Sequence, residues 1–282
     1  MKFHNPTADV FVPDGQPLDR ALARVTHLGI GAHPDDLEFG VLHGIIAGYE
    51  HRCFAGVTCT NGAGSARTGP FANHTDEQMM AVRRQEQKRA AAIGQYAAIF
   101  QLDYPSRAVK DPNNVSLRDD LQQILAATRP QVVYTHNPAD KHETHIGVMI
   151  AALQALRALP AQDRPEKVYG YESWRSLDWL SDAHKVVLDE SGHVKLFEQL
   201  AAVFASQIAG GKRYDVAILG RRRANATMLD SHAADTTTEA TFALDLTPLV
   251  TDPTRDMIGY VMGFIDEFRE DVRSKLQKRI YP

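Results

Sequence analysis

A chain of 282 residues, 44% hydrophobic and 23% charged, has the make-up of an ordinary soluble globular protein. Its formal net charge of −4 gives no electrostatic footprint for nucleic acid or an anionic membrane, and no apolar run approaches the roughly 20 residues of a membrane helix. Two cysteines, Cys53 and Cys59, in one strand-like stretch exclude a disulfide framework; with no signal-peptide core before Arg20, the expected location is the cytoplasm.

The length suits one large α/β domain over 1–282. Residues 1–20, punctuated by Pro6, Pro13, Gly15 and Pro17, read as an extended lead-in. Arg24–Ala32 is the first strand, and Leu37, Val41, Leu42, Ile45, Ile46 and Tyr49 predict a helix over 37–50. A second strand spans Arg52–Thr60, followed by a stretch, 61–70, too rich in glycine for regular structure. Thr75 and Gln78 have capping-box spacing and open a helix to about Gly94. Ala98–Leu102 is a strand, Ser116–Thr128 a helix, Gln131–Thr135 a strand, Glu143–Leu159 a helix and Lys167–Glu172 a strand.

This alternation predicts a Rossmann-like, mostly parallel sheet flanked by helices. Ligands in such sheets lie beyond the carboxyl ends of the strands, where loops 32–36, 60–70 and 136–145 all fall. The order loosens past residue 172, and 173–282 is expected to complete the site irregularly. Val186–Leu188 and Val194–Leu196 predict a hairpin or a hairpin-to-helix turn, Tyr214–Leu219 and Thr241–Leu246 strands, and Thr254–Lys278 an amphipathic helix.

The chemistry concentrates in Ala32-His33-Pro34-Asp35-Asp36. Pro34 fixes its own φ and biases His33 towards an extended backbone. Clustered carboxylates beside an apolar strand are costly unless a cation neutralises them. His33 and Asp36, joined by His145 from the downstream loop, supply two nitrogens and an oxygen to a divalent metal and leave a position open for water. Zinc suits this set, and ferrous iron is possible. His142 lies three residues before His145, so at a helix start the two share a face. Either both bind metal or, as favoured here, His145 binds and His142 donates to a developing oxyanion, with Asp140 a candidate to orient it. Asp35 is then free to take a proton from water; the alternative is that it caps the helix beginning at Leu37.

Asn61, Arg67 and Arg83 are candidate substrate contacts, although Arg83 suits an ion pair with Glu86 equally well. Asn61-Gly62-Ala63-Gly64 is no phosphate loop, because no Lys-Ser or Lys-Thr follows. The basic stretches Lys212-Arg213 and Arg221–Arg223 would suit a phosphate or carboxylate but read first as solvated surface or interface, and Trp174 and Trp179 could stack on a sugar face but read first as packed side chains.

At these residues the chain resembles the PIG-L (LmbE-like) family of zinc-dependent N-deacetylases. Ala32-His33-Pro34-Asp35-Asp36 matches the family's first signature. Thr58–Gly62, Arg83-Arg84-Gln85-Glu86 with Gly94, and Ser206-Gln207 resemble further elements. The likeness is good over about 25–150 and loose elsewhere. It implies an LmbE-like fold, with His33, Asp36 and His145 as zinc ligands and Asp35 as general base and then acid. It also implies His142 as oxyanion partner and Arg83 as a substrate contact. One departure stands out: the family's His-Pro-Asp-His is here His142-Glu143-Thr144-His145. The expected activity is hydrolysis of the N-acetyl group of an N-acetylglucosamine-type sugar or conjugate, in a homo-oligomer. The alternatives are another acylamide or an ester, or a sugar- or metal-binding module without turnover.

Overall fold

Runs of apolar and β-branched residues become the centre of an eight-stranded sheet in the computed structural model, which describes residues 1–281. β1 (Asp9–Phe11) and α1 (Leu18–Ala23) precede β2 (His27–Gly31), which feeds α2 (Asp36–Gly40) and α3 (Leu42–Gly48). Strand and helix then alternate through β3 (Phe54–Thr60), α4 (Asp76–Ile93), β4 (Ala98–Tyr104), α5 (Ser106–Lys110), α6 (Ser116–Thr128), β5 (Val132–His136), α7 (Glu143–Ala158) and β6 (Lys167–Tyr171). The remainder supplies β7 (Lys185–Asp189), α8 (Val194–Val203), α9 (Ala205–Ile208), α10 (Tyr214–Met228), β8 (Ala240–Asp245), α11 (Thr247–Thr251) and α12 (Met257–Ile280).

The strand order is β1-β4-β3-β2-β5-β6-β8-β7. The five strands from β4 to β6 are parallel, and antiparallel strands close both edges. From β2 the chain winds outward through β3 and β4, then returns to lay β5 on the other side of β2. The crevice between the carboxyl ends of β2 and β5 is therefore the topological switch point where such sheets hold ligands. Strand alternation splits the core between the two faces. Ala55, Val57 and Cys59 of β3, with Ala98, Phe100 and Leu102 of β4, face one side with α6 and α7. Phe54 and Ile99 face the other with α3 and α8.

The capping box forms: Gln78 N–H donates to Thr75 Oγ1 at 3.2 Å and Thr75 N–H donates to Gln78 Oε1 at 2.9 Å. Four expectations need correction. The lead-in is partly ordered, because β1 pairs antiparallel with β4 and α1 follows it. The helix expected over 37–50 breaks at Val41 (φ −122°). Of the two readings of 186–196, the hairpin fails and the turn from strand into helix forms. β7 pairs with β8 instead, and Val194 begins a helix that buries Leu196, Phe197, Leu200 and Ala201. Tyr214–Leu219 is helical: the buried positions 222, 225 and 226 repeat with helical spacing, but two of them are Arg222 and Asn225, which disguise an inward face as polar.

Candidate functional site

β2 delivers the first loop. Gly31 lets α2 close against the strand end, since a Cβ there would lie 2.9 Å from Asp36 Cβ. His33 N–H donates to Asp36 Oδ2 at 2.7 Å, which fixes that oxygen over the crevice. From β5, Asp140 receives the N–H of His142 at 3.0 Å, and its other oxygen lies 3.3 Å from His145 Nδ1. The contact holds the Nδ1–H tautomer of His145 and turns Nε2 towards the first loop. Asp140 thus orients His145, not the His142 ring as the sequence suggested. Glu143 points outward to Lys110 at 3.9 Å.

His33 Nδ1, Asp36 Oδ2 and His145 Nε2 form a triangle with edges of 3.4, 3.6 and 3.3 Å. Ligands at ~2.0–2.2 Å from a tetrahedral ion stand roughly 3.3–3.6 Å apart, so this donor set fits a divalent metal without rearrangement. Two overlapping groups, His33–His142–His145 and Asp36–His136–His145, also bring their donor atoms together. His136 is spoken for, because its Nε2 accepts the Ala32 N–H at 3.0 Å. Its ring instead stacks on His145, with centroids 3.8 Å apart. Sequence reasoning gave His136 no role; its only signal was a histidine at the carboxyl end of a predicted central strand.

The electrostatics follow the packing. Burial pushes Asp36 up, but His145 and His136 overcome it and hold the carboxyl well below its ordinary range. His136 falls to about 4, chiefly through burial and then repulsion from His145. His145 loses to burial but gains more from Asp36 and Asp140, and rises. His142, lowered by burial and by His145 and His33, is neutral near pH 7. Its ring centroid stands 5.0 Å from that of His33 and its Nδ1 is buried without a partner.

Asp35 does not cap α2: it makes no side-chain cap bond and adopts φ 102°, a region costing a non-glycine residue about 1–3 kcal/mol. Two contacts from α4 hold it there. Its N–H donates to Gln87 Oε1 at 3.1 Å, and its Oδ2 receives Arg83 Nη2 at 2.8 Å. Burial, opposed by Arg83 and reinforced by Asp36, brings the Asp35 carboxyl up to about 6.

Arg83 is 1% exposed and also donates to Pro34 O, Glu86 and Ser206. Only its Nε is without a partner. It adjoins the cavity but has no free fork for a substrate, so the expected substrate contact becomes the residue that positions Asp35. Gly62 (φ +73°) packs on it, where a Cβ would lie 2.9 Å from Arg83 Cγ. Ser206 completes the arrangement, its Oγ donating to Glu86 Oε2 at 2.7 Å. Asn61 and Arg67 also move out of the site. Asn61 Oδ1 receives Ala63 N–H at 3.1 Å in a local turn, and Arg67 is tied to Ala63 O and Asp76.

A cavity of about 540 Å3 opens above the triangle, floored by His33, Asp35, Asp36 and His142. Its outer wall comes from the irregular C-terminal part: Trp174, Lys212, Tyr214, Ile218 and Arg221. Trp174 is 38% exposed, contrary to the packing expected, and Lys212 Nζ sits 5.4 Å over its ring. Arg221 donates to Ser173 O. Trp179 does pack against the core. The two basic stretches divide, since Lys212 and Arg221 face the cavity while Arg222 is buried against Glu190 at 2.7 Å.

The fold and this cluster define an α/β protein with a histidine–carboxylate group that could hold a metal ion at the switch point of a parallel sheet. Residues 28–156 match the family model described as PIG-L, GlcNAc-PI de-N-acetylase. An Escherichia coli K12 protein named as an uncharacterized deacetylase, YaiS, is 27% identical over 192 residues, 66% of this chain and 94% of its own. Among solved structures, the N,N'-diacetylchitobiose deacetylase of Pyrococcus horikoshii superposes with a TM-score of 0.63 at 17% identity, over 82% of this chain and 87% of that one. GalB of Pseudomonas putida, a 4-carboxy-2-hydroxymuconate hydratase, shares the fold with a TM-score of 0.57 at 18% identity, over 81% of this chain and 98% of its own. Among the described residues no helix is long and apolar enough to cross a membrane.

Proposed function

We propose that the protein is a metal-dependent hydrolase that removes the acetyl group from an N-acetylglucosamine-type sugar or sugar conjugate. The observation that carries this reading is the 3.3–3.6 Å triangle of His33, Asp36 and His145 with the Asp35 carboxyl held beside it by Arg83. Those three residues would hold the ion, zinc by preference and ferrous iron as the alternative. A divalent cation there supplies Lewis acidity to the attacking water and to the acetamide carbonyl.

Asp35 takes the proton of that water at its carboxylate as the oxygen–carbon bond forms. His142 faces the carbonyl oxygen and stabilises the negative charge that develops on it. The carbon–nitrogen bond then breaks, and Asp35 returns the proton to the departing nitrogen; acetate and the free amine leave. Arg83, through its bond to Asp35, keeps the carboxylate at the reacting face rather than on the helix end. The cavity lies in the ~300–1,000 Å3 range that takes a ligand larger than one functional group, which supports a sugar with an aglycone.

GalB, a hydratase on this fold, favours one rival: attack of the same activated water on a different bond. The experiment is a panel of N-acetylated sugars, other acylamides, esters and unsaturated acids, offered to metal-loaded and chelated protein with acetate and product followed by NMR. Acetate release that requires metal, and that falls ~10²–10⁴-fold in Asp35→Asn while bound metal stays stoichiometric, is the expected result. Turnover of another substrate class without acetate overturns the reading.

A further inference from the structure

The head of α2 has the residues of a capping box that does not form. Asp35 is the N-cap and Glu38 the third residue of the helix, so Asp35-Asp36-Leu37-Glu38 has the spacing of that motif. In its ordinary form the Asp35 carboxylate accepts the Glu38 N–H, and the Glu38 carboxylate accepts the Asp35 N–H. Such a closure would draw the Asp35 carboxylate onto the helix end and away from the cavity. Here the cap carries no side-chain hydrogen bond, and Asp35 stays at φ 102° instead of the extended backbone of an N-cap.

Gln87 stands between the two halves of the box. Its Oε1 accepts the Asp35 N–H at 3.1 Å, while its Nε2 donates to Glu38 Oε1 at 2.8 Å. Tyr96 Oη donates to the same Glu38 oxygen at 2.7 Å, and Glu38 Oε2 has no partner. Gln87, Glu38 and Tyr96 are all fully buried. Glu38 therefore fixes which end of the amide is presented. Were the amide turned over, two donors would meet at Asp35 and two acceptors at Glu38. Arg83, one helical turn before Gln87 on α4, takes the Asp35 carboxylate at 2.8 Å. Two side chains thus grip one residue from one helix face, Gln87 by the backbone and Arg83 by the carboxylate. A buried amide–carboxyl pair costs desolvation that two apolar side chains would not. What it achieves beyond its own satisfaction is that grip.

We infer that Gln87, fixed by Glu38 and Tyr96, is a positioning residue that keeps Asp35 out of a capping box and its carboxylate at the reacting face. That role presupposes Asp35 as the base of the proposed hydrolysis. Gln87→Met keeps the bulk of the side chain and removes both hydrogen bonds. It should lower kcat roughly 10- to 100-fold with KM held. Bound metal should stay stoichiometric, because Gln87 makes no hydrogen bond to His33, Asp36 or His145. A crystal structure of the variant should show the Asp35 carboxylate on the Glu38 N–H and a negative φ at residue 35. Exchanging the pair, Gln87→Glu with Glu38→Gln, again sets a donor against an acceptor and leaves an acceptor for the Asp35 N–H. The exchange should bring kcat back to within ~3-fold of wild type, whereas Gln87→Glu alone, with two carboxyl groups face to face, should not. Should Gln87→Met not fold, that single–double comparison decides. Unchanged kcat in Gln87→Met, no recovery in the exchanged pair, or Asp35 still at φ 102° against Arg83 in the variant crystal overturns the inference. A wild type that releases no acetate, beside a variant crystal in which Asp35 has moved onto the helix end, overturns the hydrolase and upholds the positioning.

Discussion

The two walls of the cavity are built differently. On the floor, Asp35, Asp36 and His145 are buried and each is held in place: Asp35 by Arg83 and Gln87 from α4, Asp36 by the His33 N–H of its own loop, and His145 by Asp140. On the outer wall, Trp174 meets Lys212 through a cation over its ring at 5.4 Å and Tyr214 through an edge contact at 5.9 Å, and Tyr214 leans in turn on Phe39 at 5.4 Å. A desolvated floor strengthens every charge interaction made there and costs no reorganisation during reaction. The open wall contributes modest, replaceable contacts. In the proposed function, chemistry belongs to the first region and substrate choice to the second.

The floor breaks most severely at Arg83. Arg83→Leu leaves Asp35 and Glu86 facing each other without their cation, and should cost about 3–5 kcal/mol of stability, read by chemical denaturation. A smaller effect of opposite design comes from Glu38, buried beneath the loop and hydrogen-bonded by Tyr96 and Gln87 at 2.7 and 2.8 Å. Burial lifts its carboxyl to about 7 from an ordinary 4.5, so the folded state holds the proton more tightly than the unfolded chain. Its contribution is full below about pH 4.5, falls as pH rises through 7, and is flat beyond. Glu38→Gln should remove that slope, on the order of 2–3 kcal/mol between the two limits, in denaturation curves taken from pH 4.5 to 8.

Next in size is Asp140→Ala, which frees the His145 ring and should weaken metal binding ~10–100-fold by competition with a chromophoric chelator. The wall should yield least. Lys212→Ala should raise KM roughly 2- to 5-fold with kcat unchanged, the signature of a contact made equally in ground and transition states. A large loss of kcat there would erase the division between the two walls.

Much of this division was legible in the primary structure. His33-Pro34-Asp35-Asp36 announced itself because four consecutive residues concentrate charge at the end of an apolar strand, and His142 with His145 repeat at helical spacing. Hydrophobic period located the five parallel strands, since each buries a short apolar run. The C-terminal part was harder to read. α10 hides its inward face behind Arg222 and Asn225, which are buried against Glu190 and Glu172. β7 finds its partner in β8, about fifty residues away, rather than beside it.

The amino-acid order by itself determined the parallel frame, the loops at its carboxyl edge and the residue types gathered there. It did so because burial and capping are local demands that each segment meets or fails alone. Only the tertiary structure decided which donors meet: that Asp140 serves His145, that Arg83 faces Asp35 rather than solvent, and that His136 is occupied by the Ala32 N–H. Those choices depend on the last few ångströms between elements far apart in the chain. The strand order β3-β2-β5 sets those distances, and no segment encodes them separately.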